Sequence, residues 1–231
     1  MRLVGVFIVS VTLLLCLATP EAEARRRGVP RVEPPPVLSI RLESGLGLNI
    51  CVDHDDFNCA RQGEDVGAFG RAEVTFRALH LADWLGLGLR MDLGGYVPDA
   101  PRGVDNASIT FHMAAMVRGF IPLPNERIDL TAGIGIGLAH WTRTSSGGGV
   151  DTTTRWTGMT IPIAAGLGYE ILPGLVVGGD LTFQPRIAGD ICTAIDSGGL
   201  TISACGGGDL PFNLQLGAYI AYTFPVTLDV D

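Results

Sequence analysis

Between residues 37 and 224 the chain falls into eight runs of alternating apolar and polar residues, a period that fits half-buried β-strands. In the first run Leu38, Ile40, Leu42, Leu46, Leu48 and Ile50 share one row, and Ser39, Arg41, Glu43, Gly45, Gly47 and Asn49 the other. The second sets Ala72, Val74 and Phe76 against Arg71, Glu73, Thr75 and Arg77. The third sets Leu85, Leu87, Leu89, Met91 and Leu93 against Gly86, Gly88, Arg90 and Asp92. Thr110, His112 and Arg118 form the polar row of the fourth, and Asp129, Thr131 and three glycines that of the fifth. The sixth carries Thr160, Gly166, Gly168 and Glu170, and the seventh Asp180, Thr182, Gln184 and Arg186. The eighth alternates Leu214, Leu216, Ala218, Ile220, Tyr222 and Phe224 with Asn213, Gln215, Gly217 and Tyr219. Glycine recurs inside these runs too often for short helices to compete.

The rows also say which face meets what. Each is about as long as the nine to eleven residues that a membrane-spanning strand needs. Every Arg, Asp and Glu of the runs lies on the polar row, and a charge facing lipid costs about 2–4 kcal/mol at the bilayer midplane. Hydrophobic residues make up 47% of the chain and charged ones only 17%, proportions that suit an aliphatic outer shell around a polar interior. The expected fold is therefore all-β: an eight-stranded antiparallel up-and-down transmembrane β-barrel. A soluble ligand-binding barrel would need the opposite polarity. The formal net charge of −8 argues against nucleic acid, whose phosphates need a basic field.

Connection lengths set the topology. Residues 80–83, 122–127 and 172–174 form short turns, and residues 52–65, 95–107, 142–155 and 188–210 long loops. Short periplasmic turns and longer external loops place both termini in the periplasm. Folding the second run on the third so that Ala78 faces Leu85 sets Phe76 against Leu87, Val74 against Leu89, Glu73 against Arg90 and Arg71 against Asp92. Opposite charges directly across a ladder are favourable. Setting Ile128 opposite Tyr169 aligns Leu130 with Leu167, Ile134 with Ile163, Ile136 with Ile161, Leu138 with Met159 and Trp141 with Trp156.

The ends carry their own signals. Arg2, an apolar core at residues 3–18 and Ala22-Glu23-Ala24 read as a signal peptide over residues 1–24. A proline-rich tail follows at 25–36, the barrel occupies 37–224 and a short tail 225–231. After export four cysteines remain, Cys51, Cys59, Cys192 and Cys205, an even count that suggests disulfides. Three connectivities are open. The local pairs Cys51–Cys59 and Cys192–Cys205 are favoured because each lies within one connection. No Cys-x-x-Cys or ordered His cluster points to zinc. The acidic first loop (Asp53, His54, Asp55, Asp56, Glu64, Asp65) reads as a solvated loop rather than a Ca²⁺ site, since it lacks the full EF-hand pattern.

On these runs and turns the chain resembles the small eight-stranded outer-membrane proteins of the OmpA/OmpX type from Gram-negative bacteria. The resemblance spans residues 37–224, and the closing run from Leu216 to Phe224 looks like the strand by which such barrels are recognised for assembly. It departs in continuing past Phe224 to Asp231. The resemblance implies residence in the outer membrane as a monomer, among lipid and lipopolysaccharide, after handling by the barrel-assembly machinery.

Eight strands enclose a space just wide enough to be filled by side chains. Arg41, Glu43, Arg71, Glu73, Arg77, Arg90, Asp92, Arg118, Asp129, Glu170, Asp180 and Arg186 would crowd it, so a lumen plugged by ion pairs is expected, with a narrow pore as the alternative. A lipid-modifying enzyme would need a nucleophile beside a base. His112 shares its inward row with Ser108 and Thr110, pointing away from lipid, and reads as a lumen hydrogen-bonding residue. No catalytic residue, metal or cofactor is assigned. The Gly147-Gly148-Gly149 and Gly206-Gly207-Gly208 stretches lack the Lys and helix of a phosphate loop and read as flexible loop tips.

Overall fold

The computed structural model describes residues 36–50, 65–77, 84–97, 105–121, 123–125, 127–207 and 212–226. Residues 1–24, where a signal peptide is expected, residues 25–35 of the proline-rich tail, Cys51, Cys59, the acidic stretch 53–64, Ala78 and the last five residues lie outside them. Eleven strands follow in chain order: β1 (Val37–Ile50), β2 (Asp65–Arg77), β3 (Leu85–Val97), β4 (Asp105–Ile121), β5 (Ile128–Gly147), β6 (Val150–Thr160), β7 (Ile163–Leu172), β8 (Leu175–Gln184), β9 (Arg186–Ser197), β10 (Leu200–Gly207) and β11 (Phe212–Pro225). Every pairing is antiparallel, and β1, β2, β3, β4, β5, β7, β8 and β11 close into a ring of eight.

The alternating rows set the two faces of this wall. Leu46, Leu89 and Leu216 are about two-thirds exposed, whereas Arg90 and Glu73, on the opposite row, are 1% exposed. This is a transmembrane barrel, apolar outside and polar within. The registers follow the aliphatic rows: Phe76 faces Leu87, Val74 faces Leu89, and Ile128, Leu130 and Ile134 face Tyr169, Leu167 and Ile163. A one-residue slip would turn a whole row over, so the pattern leaves little freedom.

The eleven strands require a correction to the connections. Residues 142–155 and 188–207 are not open loops. β5 and β6 run on past the ring to a tight turn at Gly148-Gly149, and β9 and β10 meet at Gly198-Gly199. All four glycines have positive φ, which a two-residue type I′ hairpin needs at both central positions. The Gly147-Gly148-Gly149 stretch is therefore a tight turn and not a flexible tip. β6 also pairs with β9, giving a four-stranded sheet, β5-β6-β9-β10, that rises beyond the ring at the end opposite the short turns.

Two prolines divide this sheet from the barrel. The sixth expected run is split at Pro162 into β6 and β7, and the seventh at Pro185 into β8 and β9, because proline brings no ladder donor. Gly135 N donates to Pro162 O and Ile161 N to Pro185 O, which bridges the break. Ile136 and Ile161, expected to pair, flank it without a ladder pairing. A bulge between Met159 and Thr160 shifts the register there.

The outward face gives a direct test. Leu89→Arg, mid-strand, should lower unfolding stability in lipid vesicles by about 2–4 kcal/mol, and Leu85→Arg, at the strand end, by less than about 1 kcal/mol, read from urea titrations. Equal losses would contradict the depth assignment.

Candidate functional site

The middle of the lumen gathers a cluster of four arginines and four carboxylates drawn from five strands. Arg41 and Glu43 come from β1, Arg71 and Glu73 from β2, Arg90 and Asp92 from β3, Arg118 from β4 and Asp180 from β8. All eight are buried, and their formal charges cancel. Asp180 is the hub. It takes Arg41 Nη2 at 2.8 Å and Arg118 Nη1 at 3.5 Å on Oδ2, and Arg71 Nη1 at 3.2 Å on Oδ1. Arg71 also reaches Glu43 Oε1 and Asp92 Oδ1, each at 2.8 Å.

The Arg71–Asp92 pair is made where cross-strand register puts it. Glu73 and Arg90 also face each other in register, yet their side chains part. Arg90 lies along its own strand onto Asp92 at 2.9 Å, and Glu73 takes a two-pronged grip from Arg118, with Nη2 donating to Oε2 at 2.7 Å and Nε to Oε1. The planar guanidinium matches a carboxylate edge best in that fork geometry, and Arg118 on β4 supplies it.

Neutral side chains complete the cluster. Thr182 Oγ1 donates to Asp180 at 2.7 Å, Gln184 Nε2 to Asp92 at 2.6 Å, and Arg71 Nη2 donates to Gln215. Arg41 stacks over the Tyr219 ring, 3.4 Å from its centroid. The sequence contains a signal for these groups, since Thr182, Gln184, Gln215 and Tyr219 all sit on inward rows. A search for ionisable lumen residues alone passes them over.

Four of the expected lumen residues lie apart from this cluster. Glu170 accepts from Gly174 N at 2.7 Å and so caps the β7–β8 turn. Arg77 lies over Phe120, 4.2 Å from its ring centroid, and lines a cavity of about 50 Å³ with Asp129. That cavity sits at the short-turn end, between Ser39, Thr223 and the Arg118–Glu73 pair. Arg186 lies toward the other end, 5.6 Å from the Trp156 ring centroid. These departures have one cause: each residue belongs to the end of a strand, beside a short turn for Arg77, Asp129 and Glu170 and at the Pro185 break for Arg186.

Glycines on the facing wall make the cluster fit. A Cβ on Gly166 would come 2.8 Å from Thr131 Oγ1 and 3.0 Å from Asp180 Oδ2, and one on Gly133 would meet Arg118 Cγ at 3.2 Å. Gly94 and Gly47 likewise leave room for the Tyr96 ring.

Above the cluster, Asn213 Nδ2 donates to Asn49 at 2.7 Å and Tyr96 at 2.9 Å. Trp141 Nε1 donates to Ser108 Oγ at 2.6 Å, which engages one of the two hydroxyls on the inward row of His112. His112 Nδ1 lies 3.8 Å from Asp92 Oδ2. Trp141 faces Trp156 in register, and both pack with Ala139 and Ile191. Cys192 and Cys205 form a disulfide between β9 and β10, with Cα atoms 4.1 Å apart.

Two interventions probe these contacts. Removing one partner of a buried pair leaves a charge uncompensated, so Glu73→Ala should cost about 3–5 kcal/mol of unfolding stability. The double variant Glu73→Gln/Arg118→Met should recover most of that loss, and additive losses would contradict the pairing. Replacing Cys192 and Cys205 by Ala frees a short cross-linked loop, which corresponds to about 3 kcal/mol in a chain-entropy treatment. Hydrogen exchange should accelerate in β10, while the ring's amides keep their protection.

Against solved structures the barrel has clear likenesses. It superposes on a major outer membrane protein from Thermus thermophilus with a TM-score of 0.58 and 15% identity, over 82% of this chain and 99% of that one. The outer membrane protein OprG from Pseudomonas aeruginosa gives a TM-score of 0.53 and 9% identity, over 85% of this chain and 100% of that one. No protein-family profile and no curated protein sequence matches the chain. The fold is that of the small outer-membrane β-barrels.

Proposed function

We propose that the protein is a non-enzymatic outer-membrane barrel whose lumen is closed to solutes and whose disulfide-tied hairpin sheet acts at the cell surface, in envelope structure or surface interaction. The observation that carries this is the charge-neutral cluster. Three arginines converge on Asp180 from β1, β2 and β4, across the full width of the lumen. A solute passing through would have to break several buried charge pairs at once, each break costing about 3–5 kcal/mol. The exposed aliphatic rows support residence in lipid, among outer-membrane lipid and lipopolysaccharide. The closed ring leaves the barrel no edge that needs a partner, which supports a monomer. Export by the signal segment, both termini in the periplasm, and recognition of Leu216 to Phe224 by the barrel-assembly machinery complete the reading. Ligation by Cys51 and Cys59 of each other belongs to the same picture of tied outer loops.

The alternative is a narrow conduit, favoured by the cavity of about 50 Å³ that reaches in to Arg41, Glu73 and Arg118 from the short-turn end. A lipid-modifying enzyme is weaker, because Ser108 and His112 face inward and Ser108 is held by Trp141.

Planar-bilayer recordings of the purified protein should give no steady single-channel current, and large steady currents would overturn the closed lumen. Orientation is tested on intact cells with Ser146→Cys, in the β5–β6 hairpin, against the wild-type background. A membrane-impermeant maleimide should label it, whereas labelling only after the outer membrane is opened would place the hairpins on the inner side.

A further inference from the structure

Among the described residues the sheet beyond the ring has one side with no partner. β10 pairs with β9 alone, and among the described residues it is the only strand bonded on a single edge. All eight of its residues are exposed. Their sequence, Leu-Thr-Ile-Ser-Ala-Cys-Gly-Gly, holds no charge and no proline, and the pairing to β9 runs without a bulge. Natural sheets blunt their edges with just those devices, because an open edge is a template for another strand. This edge has none of them.

Which groups are open can be worked out. The hairpin closes on Ser197 and Leu200 across the two-residue Gly198-Gly199 turn, so Leu200 bonds back to β9. Hydrogen-bonded and non-bonded pairs then alternate, which makes Cys205–Cys192 a non-bonded pair. Its Cα separation of 4.1 Å agrees, since such pairs lie closer than the about 5.5 Å of bonded ones. Thr201, Ser203 and Cys205 therefore point their N–H and C=O groups to the open edge. The disulfide fixes β10 to β9, so little ordering remains for a partner to bring about.

Side chains define the partner. Leu200 and Ile202 are 66% and 62% exposed and continue the row of Ile195 and Ile191 that leads down to Trp156. On the other face Asp196 stands directly across from Asp151. Like charges so placed repel. Asp196 Oδ2 accepts from Thr201 Oγ1 at 3.3 Å, so a long cationic side chain beside Thr201 would reach it across one strand. A second copy fits less well. Inserted in the same bilayer and related by rotation about the membrane normal, its β10 would run parallel, with like backbone groups meeting at equal height.

We propose that the open edge of β10 is a strand-addition site for an extended, basic segment of another protein in which aliphatic and polar residues alternate. The inference rests on the surface reading above and gives it a partner class. Main-chain bonds to Thr201, Ser203 and Cys205 supply affinity, while Leu200, Ile202 and Asp196 supply selectivity, as in other β-augmentation sites.

The test uses the full chain in lipid nanodiscs and a dye-labelled ten-residue peptide of alternating valine and threonine with one arginine, followed by fluorescence anisotropy. Saturable binding is expected. It should weaken at least tenfold when alternate peptide amides on the β10-facing side are N-methylated, a change that leaves the protein untouched. Ser203→Pro, which removes an edge donor but no bond to β9, should weaken it equally. Exchanging the peptide's arginine for glutamate should weaken binding several-fold, and Asp196→Asn should erase that preference. Absence of binding, or binding indifferent to N-methylation, overturns the proposal. So does a dimer of the chain that Ser203→Pro abolishes, which would make a second copy the occupant. The nanodisc assay is independent of orientation in cells, so failure of the surface reading shows only in the maleimide labelling and failure of the edge only in the anisotropy.

Discussion

The barrel depends on the convergence of Arg41, Arg71 and Arg118 on Asp180. A wall with aliphatic rows toward lipid has to place its charged residues inside, and a space of eight-strand width leaves little water to solvate them. Charge must then be met by charge at short range. Four guanidinium and four carboxylate groups satisfy that condition together, and Thr182, Gln184 and Gln215 each add a hydrogen bond to the cluster. Buried pairs of this kind often stabilise a fold no better than apolar side chains would. Their larger effect is on register. A one-residue slip of β2 would carry Arg71 and Glu73 to the lipid face, at about 2–4 kcal/mol for the arginine alone near the midplane.

The same cluster accounts for the uneven composition of the wall. β1, β2 and β3 send long charged chains inward, and the facing rows of β5 and β7 carry Gly133, Gly135, Gly137, Gly166 and Gly168. Filling a fixed cross-section needs small residues opposite large ones, and these glycines stand where a Cβ would press on Arg118, Met116, Ala114, Asp180 or Tyr219. Glycine is a poor strand residue by propensity, but the space needed by inward side chains of the neighbouring strands outweighs that local cost.

Much of this was legible from the sequence because period two is a backbone property. The rows of β1 to β4 and β11, and the registers Arg71–Asp92 and Trp141–Trp156, follow from alternation plus turn length. Side-chain direction did not follow. Arg90 turns along its own strand to Asp92 and Glu73 to Arg118, because long side chains choose partners in three dimensions that a strand diagram does not contain. The hairpin sheet is hidden in the sequence for another reason. Thr142, Thr144, Thr152, Thr153 and Thr154 are polar on both faces, so their alternation carries no hydrophobic signal, although Gly148-Gly149 and Gly198-Gly199 were turn signals in plain view. Pro162 and Pro185 mark where the ring ends and the second sheet begins.

The two parts of the structure answer to different solvents. Within the ring every strand has two neighbours, every described carboxylate of the central cluster has an arginine, and the outer rows meet hydrocarbon. Beyond Pro162 and Pro185 the sheet buries Trp141 and Trp156 at its base and is exposed at its tip, and among the described residues it keeps one edge open at β10. The disulfide between Cys192 and Cys205 lies in this second part, on the strand with fewest contacts, where a covalent link replaces the packing that the ring supplies elsewhere. A barrel filled with matched charges has little capacity to vary without loss of its fold. The sheet above it is constrained by its turns, its ladder bonds, one cross-link and the Trp141–Trp156 packing at its base, so its exposed tip tolerates sequence change while the ring stays as it is.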